Sequence, residues 1–285
     1  MARITEGSVT HAATRALHFR NARLLGGSFY SRGSRSQLLM QRPPRGPRFV
    51  EEKIESAALV GTPIGSIFFG HYLMDDSATT LLAQEFGPVY RARNKLMESW
   101  THANSYRRLM DLEVPELPDT YLSEAWLFED LGMNAHRRQR MKQVRARLAG
   151  LPADQSGHRV FIIRGSFGQN LRILENEAAL AEALSQRGFT IVNPMQESTA
   201  EIIRKIAGAS LVVSVEGSAL THAYLTMQEG GAMITIQPPY RFDNVWKDFT
   251  DLLGMRYGFV VGEGDQERFR VSVDDVMRAV DLISA

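Results

Sequence analysis

The sequence predicts an α/β fold, and its second half carries the clearest signal. Over residues 157–285, short apolar segments alternate with longer amphipathic ones. Such alternation is typical of a parallel, doubly wound sheet covered by helices. The predicted strands are Val160–Ile163, Thr190–Asn193, Leu211–Val215, Met233–Gln237 and Gly258–Val261. The predicted helices are Arg172–Arg187, Thr199–Ala207, Ser218–Gln228, Asn244–Leu253 and Val273–Ile283.

Residues 51–150 predict a second α/β domain. An apolar strand, Ala57–Val60, precedes an amphipathic helix over Tyr72–Phe86, and Val89 begins another strand after the breaker Gly87-Pro88. A further helix covers Asn134–Leu148, and residues 151–157 have the composition of a linker. We therefore predict one domain over 51–150 and another over 157–285.

Residues 1–50 form a basic extension with nine arginines and a single acidic residue, Glu6. An arginine-rich, acid-poor start is typical of a targeting segment. The pattern Leu17-x-Phe19, and Gly26-Gly27 followed by Phe29-Tyr30, indicates short strands instead. We favour a small β-meander with a solvated basic face, followed by a proline-rich linker over residues 41–48.

The helix over Asn134–Leu148 is also basic. A basic amphipathic helix can dock on a membrane surface, or it can be a peripheral helix with a solvated face. We favour the peripheral helix. Its basic residues are Arg137, Arg138, Arg140, Lys142, Arg145 and Arg147.

The composition excludes several classes of site. The 285-residue chain contains no cysteine, which excludes disulfides, thiolate nucleophiles and cysteine-based zinc sites. The spacing of histidines and carboxylates predicts no metal cluster, and Asp75-Asp76 lies in a helix rather than at a strand end. No apolar run reaches the length of a membrane span.

Two arginines flank a loop at the end of the first strand of the second domain. Arg164 follows Val160–Ile163, and Arg172 opens the next predicted helix after a loop containing Gly165, Ser166 and Gly168. Guanidinium groups bind phosphate oxygens in pairs, and a helix N-terminus adds backbone N–H groups. The pattern predicts a phosphate or diphosphate site. The alternative is two surface arginines paired with Glu175 and Glu177.

The ordered set of motifs resembles glycosyltransferase family 61. In that family an Arg…Arg-x3-Asn-Glu segment precedes a Gly-Phe strand, a Pro, a helix, a strand and a His-Gly-Ala-Gly-Leu-Thr-Asn turn. This chain has Arg164, Arg172, Asn176, Glu177, Gly188-Phe189, Pro194, Ser198–Ile202, Ala209–Ser214 and Glu216–His222 in the same order. Upstream, Gly70–Asp75 resembles the family's His-aromatic-x-x-Asp motif. The resemblance covers about residues 70–262.

The resemblance implies the glycosyltransferase B architecture, in which two Rossmann-like domains face each other across a cleft. It implies an inverting, metal-independent transfer of sugar from a nucleotide sugar, with a uridine-linked donor as in the family's characterised members, and no cofactor. The donor diphosphate would contact Arg164, Arg172 and the helix start at Gly217 and Ser218. A glycan or lipid-linked saccharide would be the acceptor, and no nucleic acid would be a partner. The implied location is cytoplasmic, with the basic segments as candidates for contact with the inner membrane.

The chain departs from the family's pattern at the turn after the third strand. Glu216 stands where the family has His, and His222 where it has Asn. A carboxylate beside a diphosphate is repelled unless it points toward a ribose or sugar hydroxyl. The alternative role for Glu216 is to cap the helix. These two residues keep a second hypothesis open, a non-catalytic member that binds a sugar nucleotide or glycan for an assembly complex.

Two further positions have predicted roles. His71 and Asp75 lie four residues apart on one helix face, and either could be the general base that deprotonates the acceptor hydroxyl. We rank Asp75 first, because a carboxylate accepts the proton without adding positive charge beside the oxocarbenium-like transition state. Trp246 follows the end of the fourth strand, where an aromatic ring could stack on the donor base or sugar.

Overall fold

The computed structural model describes residues 10–40, 46, 48–166, 171–265 and 267–284. Gly168 and most of the predicted linker at 41–48 lie outside these residues, as do residues 1–9. The chain divides into two compact units, one formed by His11–Arg147 and the other by the second half of the chain from Leu148 onward. In the described residues, no helix has the length and apolar character that a membrane crossing requires.

The unit His11–Arg147 is built on a mixed seven-stranded sheet. Its order is β3-β2-β1-β7-β4-β5-β6, antiparallel from β3 to β7 and parallel from β7 to β6. The strands are β1 Arg15–Leu25, β2 Ser28–Ser31, β3 Ser34–Gln37, β4 Glu52–Val60, β5 Val89–Ala92, β6 Glu116–Leu117 and β7 Thr120–Glu129. The helices are α1 Phe69–Ala83, α2 Lys95–Glu98, α3 Thr101–Leu109 and α4 Ala135–Ala146. The α/β class is confirmed, but this sheet is mixed rather than doubly wound.

The predicted N-terminal β-meander is present as β1, β2 and β3. It is not a separate extension, because β1 pairs with β7 from Arg15–Glu129 to Leu24–Thr120. The meander supplies the buried residues Ala22, Leu24 and Phe29 to a core shared with β4 and β7. Arg20, Arg23 and Arg35 therefore lie on the opposite face of a sheet that belongs to the whole unit.

The unit formed by the second half contains a five-stranded parallel sheet. Its order is β10-β8-β11-β12-β13, and every neighbouring pair is parallel. The strands are β8 Arg159–Ile162, β10 Phe189–Val192, β11 Leu211–Val215, β12 Ala232–Gln237 and β13 Arg256–Val261. The helices are α5 Glu177–Gln186, α6 Thr199–Ile206, α7 Leu220–Thr226, α8 Val245–Leu253 and α9 Val273–Ser284. β11 and β12 are buried along their whole length, as expected for strands covered on both faces.

The order of these strands marks one edge of the sheet as a binding region. In chain order it reads 2-1-3-4-5, so the direction of winding reverses between β8 and β11. Parallel sheets bind ligands at the carboxyl ends of the strands beside such a reversal. Residues 163–166 and 216–219 follow those two ends. A small sheet joins β9 Ile173–Leu174 to β15 Arg268–Arg270 and β14 Glu263–Asp265.

Candidate functional site

Arg164 is held at the end of β8 by a carboxylate from the next helix. Glu177, the first residue of α5, accepts hydrogen bonds from the backbone N–H of Arg164 and of Gly165, both at 2.8 Å. Asn176 exchanges hydrogen bonds with the backbone of Val271, donating at 2.8 Å and accepting at 3.2 Å. The Asn-Glu pair of the predicted motif therefore fixes the loop that carries Arg164.

Arg172 reaches the same place from a different local structure than predicted. It does not open a helix, because it directly precedes the short strand β9 and α5 begins only at Glu177. Its Nη1 lies 2.8 Å from Glu216 Oε2 and donates to the Glu216 carbonyl oxygen at 3.0 Å. Arg172 is 6% exposed and Glu216 is 3% exposed. The two form a buried ion pair across the β8–β11 reversal.

Gly217 lies where the two guanidinium groups meet. Its φ is +145°, a value that L side chains rarely adopt. A Cβ atom at this position would stand 2.1 Å from Arg164 Nη1 and 2.9 Å from Arg172 Nη1. Both arginines therefore pack directly on the glycine, and the space that they occupy is open only because residue 217 has no side chain.

Burial sets the electrostatics of this cluster. Burial, together with the neighbouring Arg172 cation, lowers the pKa of Arg164 to about 10. Burial also raises the pKa of Glu216, against the opposing effect of Arg172. Because the Glu216 carboxylate is paired with Arg172, its negative charge is compensated within the cluster and is not directed at a ligand. An anion placed against Arg164 would relieve the repulsion between the two arginines.

Arg241 is a third arginine in this field, and the sequence reasoning passed over it. It follows β12, and it contributes to the pKa shifts of Arg164, Arg172 and Glu216. Asp243 lies 3.6 Å from it. The side chain of Gln237 holds the Asp243 backbone, donating to its carbonyl at 2.6 Å and accepting from its N–H at 3.2 Å. The place of Arg241 shortly after the end of the buried strand β12 was the signal for it.

The turn after Gly217 differs from the predicted helix start. α7 begins at Leu220, and the N–H groups of Leu220, Thr221 and His222 already bond to the carbonyls of residues 217–219. Fewer N–H groups are thus left for a ligand than a helix beginning at Ser218 would offer. Ser218 is half-buried, whereas the side chain of His222 is buried inside the unit.

Trp246 does not lie at the surface of the site. Its side chain is 2% exposed and makes aromatic contacts with Tyr224 and Phe249, at ring-centroid distances of 6.2 Å and 5.7 Å. The predicted stacking on a donor base is therefore replaced by a role in the core. The helical spacing that buries Phe249 also turns Trp246 inward, since α8 packs one side against the sheet.

His71 and Asp75 form a connected pair in the unit His11–Arg147. They lie on α1, and His71 Nδ1 is 2.7 Å from Asp75 Oδ2. The other carboxylate oxygen, Oδ1, accepts a hydrogen bond from Arg137 Nη2. The side chain of His71 is 27% exposed, and that of Asp75 is 5% exposed. Asp75 is thus enclosed and bonded on both oxygens, while the imidazole is the accessible end of the pair.

The basic helix α4 supplies the support for this pair. Arg137, Arg140 and Arg145 are buried, which contradicts a wholly solvated basic face. Arg137 also donates to the Asp130 carbonyl, and Arg140 pairs with the Asp130 carboxylate. Thr79 Oγ1 donates to the same carboxylate at 3.2 Å. A cavity of about 400 Å³ lies beside this network and is lined in part by Thr79 and Asp130.

Asp76 is a second carboxylate on α1, for which the sequence predicted no role beyond its place in a helix. Burial raises its pKa from the usual 3.8 to about 7, with Arg107 opposing and Asp75 adding to the increase. Thr62 Oγ1 lies 3.4 Å from Asp76 Oδ1. A Cβ atom added to Gly65 would lie 2.8 Å from both carboxylate oxygens of Asp76. The described residues contain no group of three histidine or carboxylate side chains that could hold a metal ion.

We predict that Asp76 makes the protein less stable as the pH rises from about 4 to about 7. The folded state holds the proton that the unfolded state releases, so unfolding becomes easier across that window and levels off above it. The effect is a few kcal/mol at most, at about 1.4 kcal/mol per pKa unit. Denaturant midpoints of Asp76→Asn at pH 5 and pH 8 should differ less than those of wild type. Asp281→Asn, at an exposed position, is the control, and an unchanged pH dependence in Asp76→Asn would refute the assignment.

Comparison with known proteins shows which family has a sequence pattern that matches this part of the chain. The family model described as Glycosyltransferase 61 matches residues 69–234. The match includes His71, Asp75, Arg164, Arg172 and the turn at Glu216–His222, whereas Arg241 and Trp246 lie beyond it. None of the curated proteins compared with the chain matches it.

Proposed function

The chain belongs to the glycosyltransferase 61 family, and we propose that it transfers a sugar from a nucleotide sugar to a glycan or lipid-linked saccharide with inversion at the anomeric carbon. Membership of the family implies glycosyltransferase activity. The donor, the acceptor and the stereochemistry are inferences from the residues of the two units. The uridine-linked donor, the two-domain cleft architecture and the cytoplasmic location stay predictions.

The observation that carries the proposal is the convergence of Arg164 and Arg172 on Gly217. It lies at the strand ends where the winding of the sheet reverses, which is the expected ligand position in such sheets. Arg164 is half-buried and the more accessible of the two, since Arg172 is committed to Glu216. We assign the donor diphosphate to Arg164, with Arg241 as a second contact.

The acceptor side is assigned to the network on α1. We propose His71 as the base and Asp75 as the residue that positions it, which reverses the order expected from the sequence. Asp75 is buried and bonded by Arg137 on one oxygen and by His71 on the other, whereas the His71 imidazole is the more exposed end of the pair and the group that an acceptor hydroxyl can approach. A proton on Nδ1, held by Asp75, puts the basic lone pair of the imidazole on Nε2.

In this proposal the sugar is transferred in a single displacement at the anomeric carbon. His71 takes the proton of the acceptor hydroxyl, whose oxygen attacks the anomeric carbon. The bond from that carbon to the diphosphate oxygen breaks, and its electron pair leaves with the nucleoside diphosphate. Fixed cations near the leaving oxygens stabilise the charge that develops there. Attack opposite the leaving group inverts the configuration.

We predict that Gly217→Ala weakens binding of uridine diphosphate by about tenfold or more. The new Cβ displaces the guanidinium group of Arg164, the residue assigned to the diphosphate, and a charge-assisted contact contributes about 1.5–3 kcal/mol. Gly165→Ala is the matched control: its φ is +62°, yet no atom lies within 4 Å of the added Cβ. Both variants should lose some stability from the positive φ. Calorimetry should show weakened binding only in Gly217→Ala; equal affinities would place the diphosphate elsewhere.

We also predict transfer without a divalent metal ion, with Arg164 and Arg241 neutralising the leaving group. Activity should persist in excess chelator at the rate found in untreated enzyme. Assays with added Mg²⁺ or Mn²⁺ after chelation provide the comparison. Complete loss in chelator, restored by either ion, would show that a metal completes the site.

A non-catalytic role is the second candidate, and Glu216 is the observation that favours it. Its ion pair removes one of the two arginines from ligand contact. Incubation with a panel of sugar nucleotides and acceptors decides between the two. If a sugar nucleotide stabilises the protein against heat, yet no sugar nucleotide of the panel is transferred or hydrolysed, the result would support the non-catalytic role. Ligand at a hundred times its dissociation constant adds about 2.7 kcal/mol to the unfolding free energy.

A further inference from the structure

A row of alternating cations and tyrosines crosses the sheet of the unit His11–Arg147. Successive strand pairings place Lys53 opposite Tyr121, Tyr121 opposite Arg23, Arg23 opposite Tyr30 and Tyr30 opposite Arg35. Residues directly opposite each other in a sheet project from the same face. The five side chains therefore form one continuous row on β4, β7, β1, β2 and β3.

The row lies on the face away from the core. Its sequence neighbours Ile54, Leu122, Leu24 and Phe29 pack in the hydrophobic core on the other side. The three cations of the row are exposed and the two tyrosines are half-buried. Strands spaced about 4.8 Å apart make the row about 19 Å long. It is thus a solvent-facing strip that a chain molecule can follow.

The side chains of the row are held by one another. Lys53 Nζ lies 5.8 Å from the ring centre of Tyr121, and Arg35 Cζ lies 5.8 Å from that of Tyr30. Tyr121 donates a hydrogen bond to Asn21 Oδ1 at 2.6 Å. Asn21 and Arg32, which border the row, have φ values of +55° and +45°. A depression of about 560 Å³ opens over Arg23, Tyr30, Arg32, Arg35 and Tyr121.

We propose that this row binds an acidic oligosaccharide chain. Tyrosine rings present an apolar face with a polar edge, which suits the C–H face of a pyranose ring. Arginine and lysine between the rings suit carboxylate or phosphate groups carried by the sugars. The glycan source rests on the proposed function, since a glycosyltransferase that extends a polymer must hold the chain beyond the reacting sugar. Single-stranded nucleic acid and anionic lipid are the competing ligands.

The test uses polygalacturonate as the acidic polymer and dextran as its neutral counterpart. Affinity electrophoresis of the full chain should show retardation by polygalacturonate and none by dextran. Arg23→Ser with Arg35→Ser should weaken polygalacturonate binding by about a hundredfold, at roughly tenfold per charged contact. Tyr30→Ala should weaken it too, and Arg278→Ser, at an exposed arginine of the other unit, should not.

Three outcomes overturn the proposal. The first is that wild type does not bind polygalacturonate. The second is that folded row variants bind it as tightly as wild type. The third is that a thymidine 20-mer or phosphatidylserine vesicles bind more tightly than the uronate polymer. Transfer to a monosaccharide acceptor is measured in the same variants and should be unchanged. An inactive wild type that still binds the polymer through the row would refute the proposed function alone.

Discussion

His71→Ala is expected to lower sugar transfer by roughly 10²–10⁴-fold, the usual contribution of a positioned base. Donor binding should stay at the wild-type level, because the arginine cluster belongs to the other unit. The acid limb of the pH–rate profile should vanish, since that limb reports ionisation of the base. His136→Ala, at an exposed position on α4, is the control. A normal rate in His71→Ala would remove the acceptor-side assignment.

Asp75→Asn separates positioning from catalysis. It breaks the buried pair with Arg137, and loss of one partner of a buried pair costs about 3–5 kcal/mol in stability. If Asp75 only orients the imidazole, folded Asp75→Asn should transfer sugar more slowly than wild type. Its pH–rate profile should keep an acid limb near neutrality, as a histidine base gives. If Asp75 itself is the base, the limb disappears in Asp75→Asn and persists in His71→Ala. Rates per folded molecule distinguish the two results.

The strands of the parallel sheet were predictable because burial on both faces makes them continuous apolar runs. Leu211–Val215 was predicted with its observed bounds, and β8, β10 and β12 within one residue at each end. β7, the strand that joins the two halves of the other sheet, was missed. Its sequence mixes Ser123, Glu124 and Glu129 with apolar residues, because only part of each face is covered.

The partners of buried charges could not be predicted from local sequence. Arg137 pairs with Asp75, which lies 62 residues away, and Arg172 pairs with Glu216, which lies 44 residues away. Local patterns therefore suggested a solvated basic helix and a capping or ribose-binding Glu216. In both cases the fold brings together opposite charges whose separation along the chain carries no periodic signal.

The two arginines that pack on Gly217 should respond differently to substitution, because Arg172 is paired with the buried Glu216. Arg164→Ala should weaken uridine diphosphate binding by about 1.5–3 kcal/mol, the usual range for a charge-assisted hydrogen bond, and Arg164→Lys should restore it only in part because lysine lacks the planar fork. Stability should change little, since Arg164 is only half-buried. Arg278→Ala is the control for loss of a positive charge.

Arg172→Ala should act on folding before it acts on binding. It leaves Glu216 buried without its ion-pair partner, at a cost of about 3–5 kcal/mol. The double variant Arg172→Ala/Glu216→Gln should recover much of that loss, because the amide carries no charge to bury. Urea denaturation of the four proteins in this cycle measures the coupling, and calorimetry with uridine diphosphate measures binding. If Arg172→Ala unfolds normally yet loses the nucleotide while Arg164→Ala still binds it, the diphosphate contact belongs to Arg172 and the assignments of the two arginines must be exchanged.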